Sequence, residues 1–182
     1  MSTTAIASPV YWPENGHYYE LVRVETNWFD ALQAAASRSY LGLNGQLATI
    51  GSGAENLFLT DTFGANDALD GIFLGGFQFG GPEPDGGWYW VTGSTLTLTD
   101  PFTFTNWAPP PNQEPNNAGG NESVIEFAHL PYTIYGKTWN DLNPFEVRRG
   151  YLVEYAPEPS TGLLTFSAVT LLAIGHRRRK RG

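Results

Sequence analysis

The clearest helical pattern in the chain lies in residues 27–38. Its apolar residues recur at intervals of three and four, which places them on one face of an α-helix. That face consists of Trp28, Ala31, Leu32 and Ala35. Several alanines in the second half of the segment add intrinsic helix propensity. The pattern therefore predicts one amphipathic helix near the start of the chain.

A second helix is predicted to begin at Ser52 and to end near Phe63 and Gly64. Ser52 is followed three residues later by Glu55, which is the spacing of a capping box. Glycine is a common helix terminator, so Gly64 marks the expected end. The apolar residues expected to face the core are Ala54, Leu57 and Phe58.

Short runs of aromatic and β-branched residues, separated by segments rich in glycine and proline, predict strands. The predicted strands cover residues 18–24, 72–76, 88–91, 123–127 and 151–155. Residues 80–87 read Gly-Gly-Pro-Glu-Pro-Asp-Gly-Gly, which is turn chemistry throughout. Two helices among several short strands indicate an α+β fold with long loops.

Composition and charge narrow the class of ligand. Apolar residues make up 41% and aromatic residues 14% of the 182 residues, enough for one packed domain with appendages. All 18 acidic residues lie at or before Glu158, whereas five of the ten basic ones lie in residues 177–181. The chain up to Glu158 is therefore strongly acidic, which argues against nucleic acid and other polyanions as partners and favours cations or neutral ligands.

The chain contains no cysteine. This excludes disulfide bonds, thiolate zinc sites and a cysteine nucleophile.

A set of oxygen-bearing side chains in the second half of the chain could bind one calcium ion. Carboxylates and carboxamides are the side chains that calcium prefers. The candidate ligands are Glu114, Asn116, Glu122, Asn140 and Asp141. They lie in segments that are separate in sequence, so only a folded domain could bring them together.

The spacing of this set resembles the principal calcium and sugar site of C-type lectin domains. The resemblance rests on Glu-Pro-Asn at 114–116, a Glu eight residues after Glu114, and Trp-Asn-Asp at 139–141. Gly-Gln-Leu-Ala-Thr-Ile at 45–50 is similar to the segment that follows the first helix in that family. Phe-Leu-Gly-Gly at 73–76 is similar to its Trp-Ile-Gly-Leu core motif. Trp-Val-Thr-Gly at 90–93 and Phe-Thr-Asn-Trp at 104–107 also match, so the resemblance runs from about residue 17 to residue 155.

The resemblance implies a C-type lectin fold with two helices, two small antiparallel sheets and a long ligand-binding loop. The first strand is expected to pair with the last one. Two disulfides of the vertebrate domains are absent, and their four places are taken by other residues. These are Ala35, Val124, Pro144 and Val153, which suggests that packing replaces the bridges.

The resemblance also implies calcium-dependent binding of carbohydrate. The five candidate ligands would contact both the ion and two neighbouring hydroxyls of a sugar, and Asp141 would add its backbone carbonyl. The Glu114–Pro115 bond is expected to be cis. Glu-Pro-Asn implies sugars of the mannose or glucose type, since the galactose-associated Gln-Pro-Asp is absent.

Two other functions compete with this hypothesis. Relatives of the fold in bacteria often bind protein as structural or adhesion modules. A glycoside hydrolase with paired carboxylates is disfavoured because the clustered acids suit metal ligation better. Glu83, Asp85 and Asn117 could form part of a second calcium site, although a solvated turn explains them better.

Aromatic residues and histidines near the motifs receive simpler interpretations. Trp90, Trp107 and Trp139 are expected in the core instead of stacking on sugar. His17 and His129 have no acid or nucleophile at motif spacing, so no chemistry is assigned to them.

The last segment, residues 157–182, resembles a PEP-CTERM sorting signal. It has Pro-Glu-Pro at 157–159, an uncharged and mostly apolar run at 162–175, and a basic end at 177–181. The resemblance implies cleavage by an exosortase on a protein exported by a Gram-negative bacterium to its surface or extracellular matrix. The apolar run is short for a membrane span, which predicts only transient contact with the inner membrane.

The domain is therefore expected to cover residues 11–156, after a disordered lead-in at 1–10. No basic residue or apolar run marks a signal peptide in that lead-in, which conflicts with the export that the tail implies.

Overall fold

The computed structural model describes residues 8–111, 113–128 and 138–157. Within these ranges the chain forms two α-helices, two short 3-10 helices and nine strands. The α-helices are α1 (Trp28–Ala36) and α2 (Gly53–Phe63). The strands are β1 (Val10–Trp12), β2 (His17–Val22), β3 (Ser39–Tyr40), β4 (Leu43–Leu47), β5 (Ile72–Gln78), β6 (Trp88–Trp90), β7 (Val124–Phe127), β8 (Trp139–Leu142) and β9 (Gly150–Ala156).

Helix α1 confirms its prediction. Asn27 caps it, because the side-chain oxygen of Asn27 accepts a hydrogen bond from the backbone N–H of Asp30. The four residues predicted to face the core are all buried. The indole N–H of Trp28 donates to the carbonyl of Leu74 at 2.8 Å, which fixes the helix on the sheet.

Helix α2 begins as predicted but buries a different face. The hydroxyl of Ser52 accepts a hydrogen bond from the N–H of Glu55, so the cap is correct. Phe58 packs against the core as predicted, but Ala54 and Leu57 are exposed, so the prediction was wrong for these two residues. The buried residues are Glu55, Asn56, Leu59 and Thr60. These polar residues can be buried here because their side chains find hydrogen-bond partners inside the fold.

The hydroxyl of Tyr19 and the N–H of Gly51 both donate to the carboxylate of Glu55. The indole N–H of Trp139 donates to the side-chain oxygen of Asn56 at 3.0 Å. These hydrogen bonds compensate for the hydration that Glu55 and Asn56 lose on burial. The pattern of apolar residues alone could not predict them.

All five predicted strands are present, and β1, β3, β4 and β8 are additional. Strand β1 starts at Val10, inside the segment predicted as a lead-in, and pairs with β2. Strand β2 ends at Val22, two residues earlier than predicted. Strand β5 extends to Gln78, two residues further than predicted.

Strand β9 connects the two halves of the sheet. Along one edge it pairs antiparallel with β2, from Tyr151 to Tyr155, so the predicted pairing of first and last strands is confirmed. Its other edge is shared, because its first residues pair parallel with β5 and its last residues pair antiparallel with β4. The two expected antiparallel groups are thus joined into one sheet.

The core lies on both faces of this sheet. Alternate residues of β5 and β9 enter different clusters, since successive side chains of a strand point to opposite faces. Phe73 and Val153 pack with α1 on one face. Ile72 and Leu152 pack on the other face, with Leu59 of α2 and the tryptophans of β6 and β8.

The positions that would carry disulfides in the vertebrate domains are all buried. Ala35, Val124 and Val153 belong to the cluster around α1, and Pro144 is also buried. Across the described ranges, no helix is long and apolar enough to cross a membrane. The predicted sorting tail from residue 158 onward, His129 and most of the lead-in lie outside those ranges.

Candidate functional site

The candidate site is formed by the loop between β6 and β7 together with strand β8. Two backbone hydrogen bonds attach the loop to the start of β8: the N–H of Ala108 donates to Trp139, and the N–H of Trp139 donates to Asn106. The Glu114–Pro115 bond is cis, as expected. The N–H of Glu114 donates to the carbonyl of Ala108 at 2.9 Å. The Glu-Pro-Asn segment is therefore held close to the Trp-Asn-Asp strand.

Asp141 organises the centre of the site. It is fully buried in β8. Its Oδ1 accepts a hydrogen bond from the N–H of Asn116 at 3.0 Å, and its Oδ2 accepts one from the N–H of Asn117 at 2.9 Å. Asp141 thus fixes the turn that follows Pro115.

Glu122 is tied to the same turn. Its Oε2 accepts a hydrogen bond from the N–H of Ala118 at 2.5 Å, and its own N–H donates to the side-chain oxygen of Asn117 at 3.1 Å. Asn117 has a left-handed backbone, with φ of 47°, a conformation that asparagine tolerates better than most residues. Burial raises the pKa of Glu122.

Glu114 has a buried carboxylate oxygen without a counterpart. Its Oε2 has no hydrogen-bond partner among the described residues. Burial raises the pKa of Glu114 to about 8, and Asp141 adds to this through its charge and through a hydrogen bond that only the protonated Glu114 can donate. The charges of Glu122 and Glu126 act in the same direction. Excess negative charge and an unpartnered oxygen at one place fit a bound cation.

Asn140 neighbours Asp141 in β8 and contacts a residue that sequence reasoning missed. Its side-chain Nδ2 donates to Oε1 of Glu126 at 3.3 Å, across the β7–β8 pair. Glu126 is only 1% exposed, and burial raises its pKa to about 7 against the opposing effect of Arg148. A charged residue inside the apolar run Val-Ile-Glu-Phe was the signal that could have identified it.

The structure therefore brings four of the five predicted residues, Glu114, Asn116, Glu122 and Asp141, into one connected region, whereas the side chain of Asn140 contacts Glu126. Hydrogen bonds link Asp141 to Asn116 and to the turn that holds Glu122, and Asp141 acts on Glu114 through its charge and a hydrogen bond. Among the described residues, no three acidic or histidine side chains converge as a metal-binding group. Glu122 and Asp141 instead direct carboxylate oxygens at backbone N–H groups.

The residues considered for a second calcium site are brought together only in part. Asn117 donates a hydrogen bond from Nδ2 to Oε2 of Glu83 at 3.0 Å, which joins the 80–87 turn to the main loop. Asp85 lies in the same turn, beside a separate pocket lined by Trp88 and Phe102. Trp90 and Trp139 are buried and Trp107 packs against them, which confirms their placement in the core.

His17 has no acid partner at motif spacing, as the sequence indicated, but the fold supplies one from far along the chain. Its Nδ1 lies 2.5 Å from Oε1 of Glu154 in β9. This hydrogen bond raises the pKa of His17, and burial partly opposes it. A partner 137 residues away cannot be recognised by motif spacing.

No family model matches the chain. Over 169 residues it is 34% identical to Halomucin from Haloquadratum walsbyi (strain DSM 16790 / HBSQ001), and this match covers 86% of the chain. The chain spans only 2% of the length of that relative.

Several solved structures have the same fold at low sequence identity. The C-type lectin CEL-I from Cucumaria echinata superposes with a TM-score of 0.56 at 23% identity, covering 81% of this chain and 96% of its own. An EPNH mutant of CEL-I gives 0.59 at 22% identity, covering 84% and 97%. The carbohydrate-recognition domain of cow CD23, solved in the presence of an oligosaccharide, gives 0.59 at 22% identity, covering 86% and 97%. The chain therefore has the C-type lectin fold.

Proposed function

We propose that this protein binds carbohydrate through a calcium ion held at the candidate site. The side chains that would hold the ion are Glu114, Asn116, Glu122, Asn140 and Asp141. The ion would supply coordination positions for sugar hydroxyls, since calcium takes six to eight oxygens and five side chains leave some of them open.

The observation that carries this proposal is the buried Oε2 of Glu114, which has no partner among the described residues. A buried carboxylate oxygen without a partner is costly, and the nearby charge of Asp141 increases that cost. A divalent cation at this place would remove both penalties. The donor set is made of oxygen only, which suits calcium better than zinc or copper.

The carbohydrate part of the proposal is supported by the fold neighbours. CEL-I is described as a C-type lectin, and the CD23 domain was solved with an oligosaccharide. Glu114-Pro115-Asn116 also shares the letters EPN with the EPNH mutant of CEL-I. We propose mannose- or glucose-type sugars on this basis. None of these neighbours is described as an enzyme, and the proposal is accordingly for a binding protein.

Calcium titration by calorimetry on the full chain tests the ion. We expect the wild type to bind calcium, and Glu114→Ala and Asn140→Ala to lose the binding. Asn121→Ala, an exposed residue of the same loop, is the matched control and should bind as the wild type does. The absence of binding heat for the wild type at millimolar calcium would refute the proposal.

A glycan array tests the sugar. Wild-type protein should bind mannose- or glucose-type glycans in calcium and release them in chelator. Calcium binding without any glycan signal would retain the ion and reject the lectin function.

A second candidate function is a protein-binding module. An apolar groove of about 370 Å³ lies between the start of α1 and the end of β5, and none of the five candidate ligands lines it. Phe79, Leu96 and Leu98 line it and are substantially exposed, which is unusual for a surface without a partner. This function would become the preferred one if calcium did not bind.

Export and cell-surface placement are proposed from the tail sequence. We propose that an exosortase cleaves near Pro157–Pro159 and that the domain, residues 11–156, is released to the surface or matrix. Expression of the full chain in a Gram-negative host that encodes an exosortase, followed by mass spectrometry of the surface fraction, tests this. A product that retains residues 160–182 would refute it.

A further inference from the structure

The buried Glu126 and the partly exposed Arg148 form an ion pair directly beside Asn140. The Nε of Arg148 donates to Oε2 of Glu126 at 2.6 Å, and the side chain of Arg148 is 21% exposed. The other carboxylate oxygen of Glu126 accepts the amide hydrogen bond of Asn140. Both oxygens of this buried carboxylate are therefore engaged, one by a cation and one by a candidate calcium ligand.

The position of Arg148 is itself constrained. Its backbone exchanges two hydrogen bonds with Thr26, at 2.9 and 3.1 Å, just before α1 begins. Its guanidinium also lies 2.8 Å from a carboxylate oxygen of Glu146. The guanidinium is thus held from its backbone and from two carboxylates, so it presents a fixed donor to Glu126.

This arrangement determines which way the carboxamide of Asn140 faces. A carboxamide is planar and carries its donor nitrogen and acceptor oxygen on opposite sides of the terminal carbon. The reverse orientation would place the oxygen of Asn140 against a carboxylate oxygen of Glu126, which is repulsive. With its nitrogen committed to Glu126, the oxygen of Asn140 lies on the far side and is available to a cation.

We propose that Glu126 and Arg148 are a positioning pair that orients Asn140 for calcium. This inference rests on the proposed calcium site and assigns no ligand role to Glu126 or Arg148. Outer groups that hold a metal ligand in its binding orientation commonly change metal affinity by about 10–100-fold when they are removed.

Glu126→Gln is the most specific test because it keeps the side-chain volume and reverses the direction of the hydrogen bond between residue 126 and Asn140. The glutamine oxygen would accept from Arg148, whose charged donor is the stronger one. The glutamine nitrogen would then face Asn140 and draw the oxygen of Asn140 towards itself. We expect calcium affinity to fall by about 10–100-fold, measured by calorimetry on the full chain.

Glu20→Gln is the matched control. Glu20 is also buried and paired with an arginine, Arg38, at 3.0 Å, but it lies in β2, and its hydrogen bonds within the described ranges go to Arg38 and Tyr155, neither of which is a candidate ligand. Its substitution should leave calcium affinity within about twofold of the wild type, as expected for independent sites.

Nuclear magnetic resonance of the calcium-free protein gives a readout that does not depend on the ion. The side-chain NH₂ signals of Asn140, assigned through Asn140→Asp, should shift in Glu126→Gln and stay unchanged in Glu20→Gln. If Glu126→Gln does not fold, the double variant Glu126→Leu/Arg148→Leu replaces the whole pair by apolar side chains, a change that folded proteins often tolerate. It should fold and bind calcium more weakly than the wild type.

The outcomes separate this inference from the proposed function. If the wild type binds no calcium, the proposed function fails and the positioning role fails with it. If the wild type binds and Glu126→Gln, or the double variant, binds equally well, only the positioning role is overturned. Weaker binding together with shifted Asn140 signals supports both.

Discussion

Replacing Glu114 by glutamine should have opposite effects on stability with and without calcium. The pKa of Glu114 rises from 4.5 in the unfolded chain to about 8 in the fold. Folding at pH 7 must therefore protonate this carboxyl group, which would cost about 3 kcal/mol for a fully buried group. Because Glu114 is partly exposed, solvent screening reduces this, and we expect about 1–2 kcal/mol.

Glu114→Gln removes that cost because glutamine is neutral in both states. The calcium-free variant should therefore melt a few degrees above the wild type at pH 7. The advantage should shrink as the pH falls towards 4.5, because the wild-type carboxyl group then becomes protonated in the unfolded chain as well. The contribution of the Glu114 carboxyl group to the free energy of unfolding is therefore most favourable below pH 4.5 and is lost as the pH rises to about 8.

Calcium should reverse the order. At a concentration 100-fold above its dissociation constant, an ion that binds only the folded state stabilises it by about 2.7 kcal/mol. The wild type should gain this stabilisation from calcium, and Glu114→Gln should not. Differential scanning calorimetry at pH 7, in chelator and in calcium, measures both effects on the same samples.

The exposed Glu25, changed to glutamine, is the control and should melt as the wild type does in both conditions. Two results would refute the reasoning. One is a calcium-free Glu114→Gln that is less stable than the wild type. The other is a variant that gains as much from calcium as the wild type.

Three further predictions concern the fold and are measured in chelator. His17→Gln should destabilise the fold most at acid pH. The pKa of His17 is raised beside Glu154, so protonated His17 stabilises the fold below about pH 6.5, and this stabilisation is lost as the pH rises. Thermal melts from pH 5.5 to 8.5 measure the difference. Trp139→Phe should cost about 2–3 kcal/mol in urea unfolding, through lost volume and the lost bond to Asn56. Gly75→Ala should cost about 1–3 kcal/mol by the same assay, because its Cβ would lie 2.8 Å from a β4 carbonyl.

Each of these predictions has a control. For His17, stability curves of wild type and variant that run parallel across the pH range would contradict the ion pair. Trp107→Phe, at a partly exposed position, should cost less than Trp139→Phe. Gly53→Ala, whose Cβ would meet only ordinary contacts at 3.6 Å or more, should be neutral or slightly stabilising within α2.

Local features of the fold could be predicted from the sequence because they depend on neighbours within a few residues. The buried stripe of α1, its start at Asn27 and the cap at Ser52 are examples. The cis bond before Pro115 was also expected, from the resemblance of the Glu-Pro-Asn segment. The residue types of the candidate site were readable for the same reason, since ligand chemistry belongs to individual side chains.

Features that depend on distant partners could not be predicted in this way. The polar face that α2 buries is favourable only because Tyr19 and Trp139 place hydrogen-bond donors against Glu55 and Asn56. Glu126 belongs to the site only because β7 pairs with β8 in a register that sets it opposite Asn140.

The sequence by itself determined the positions of the two helices, five of the nine strands and the set of candidate oxygen ligands. Each of these follows from side-chain chemistry and short-range periodicity. Only the tertiary structure decided that β9 joins both halves of the sheet, and that His17 meets Glu154. It also decided that one carboxylate oxygen of Glu114, Oε2, is buried near Asp141 without a hydrogen-bond partner among the described residues. The physical reason is that burial and pairing depend on the three-dimensional packing of segments far apart in the chain.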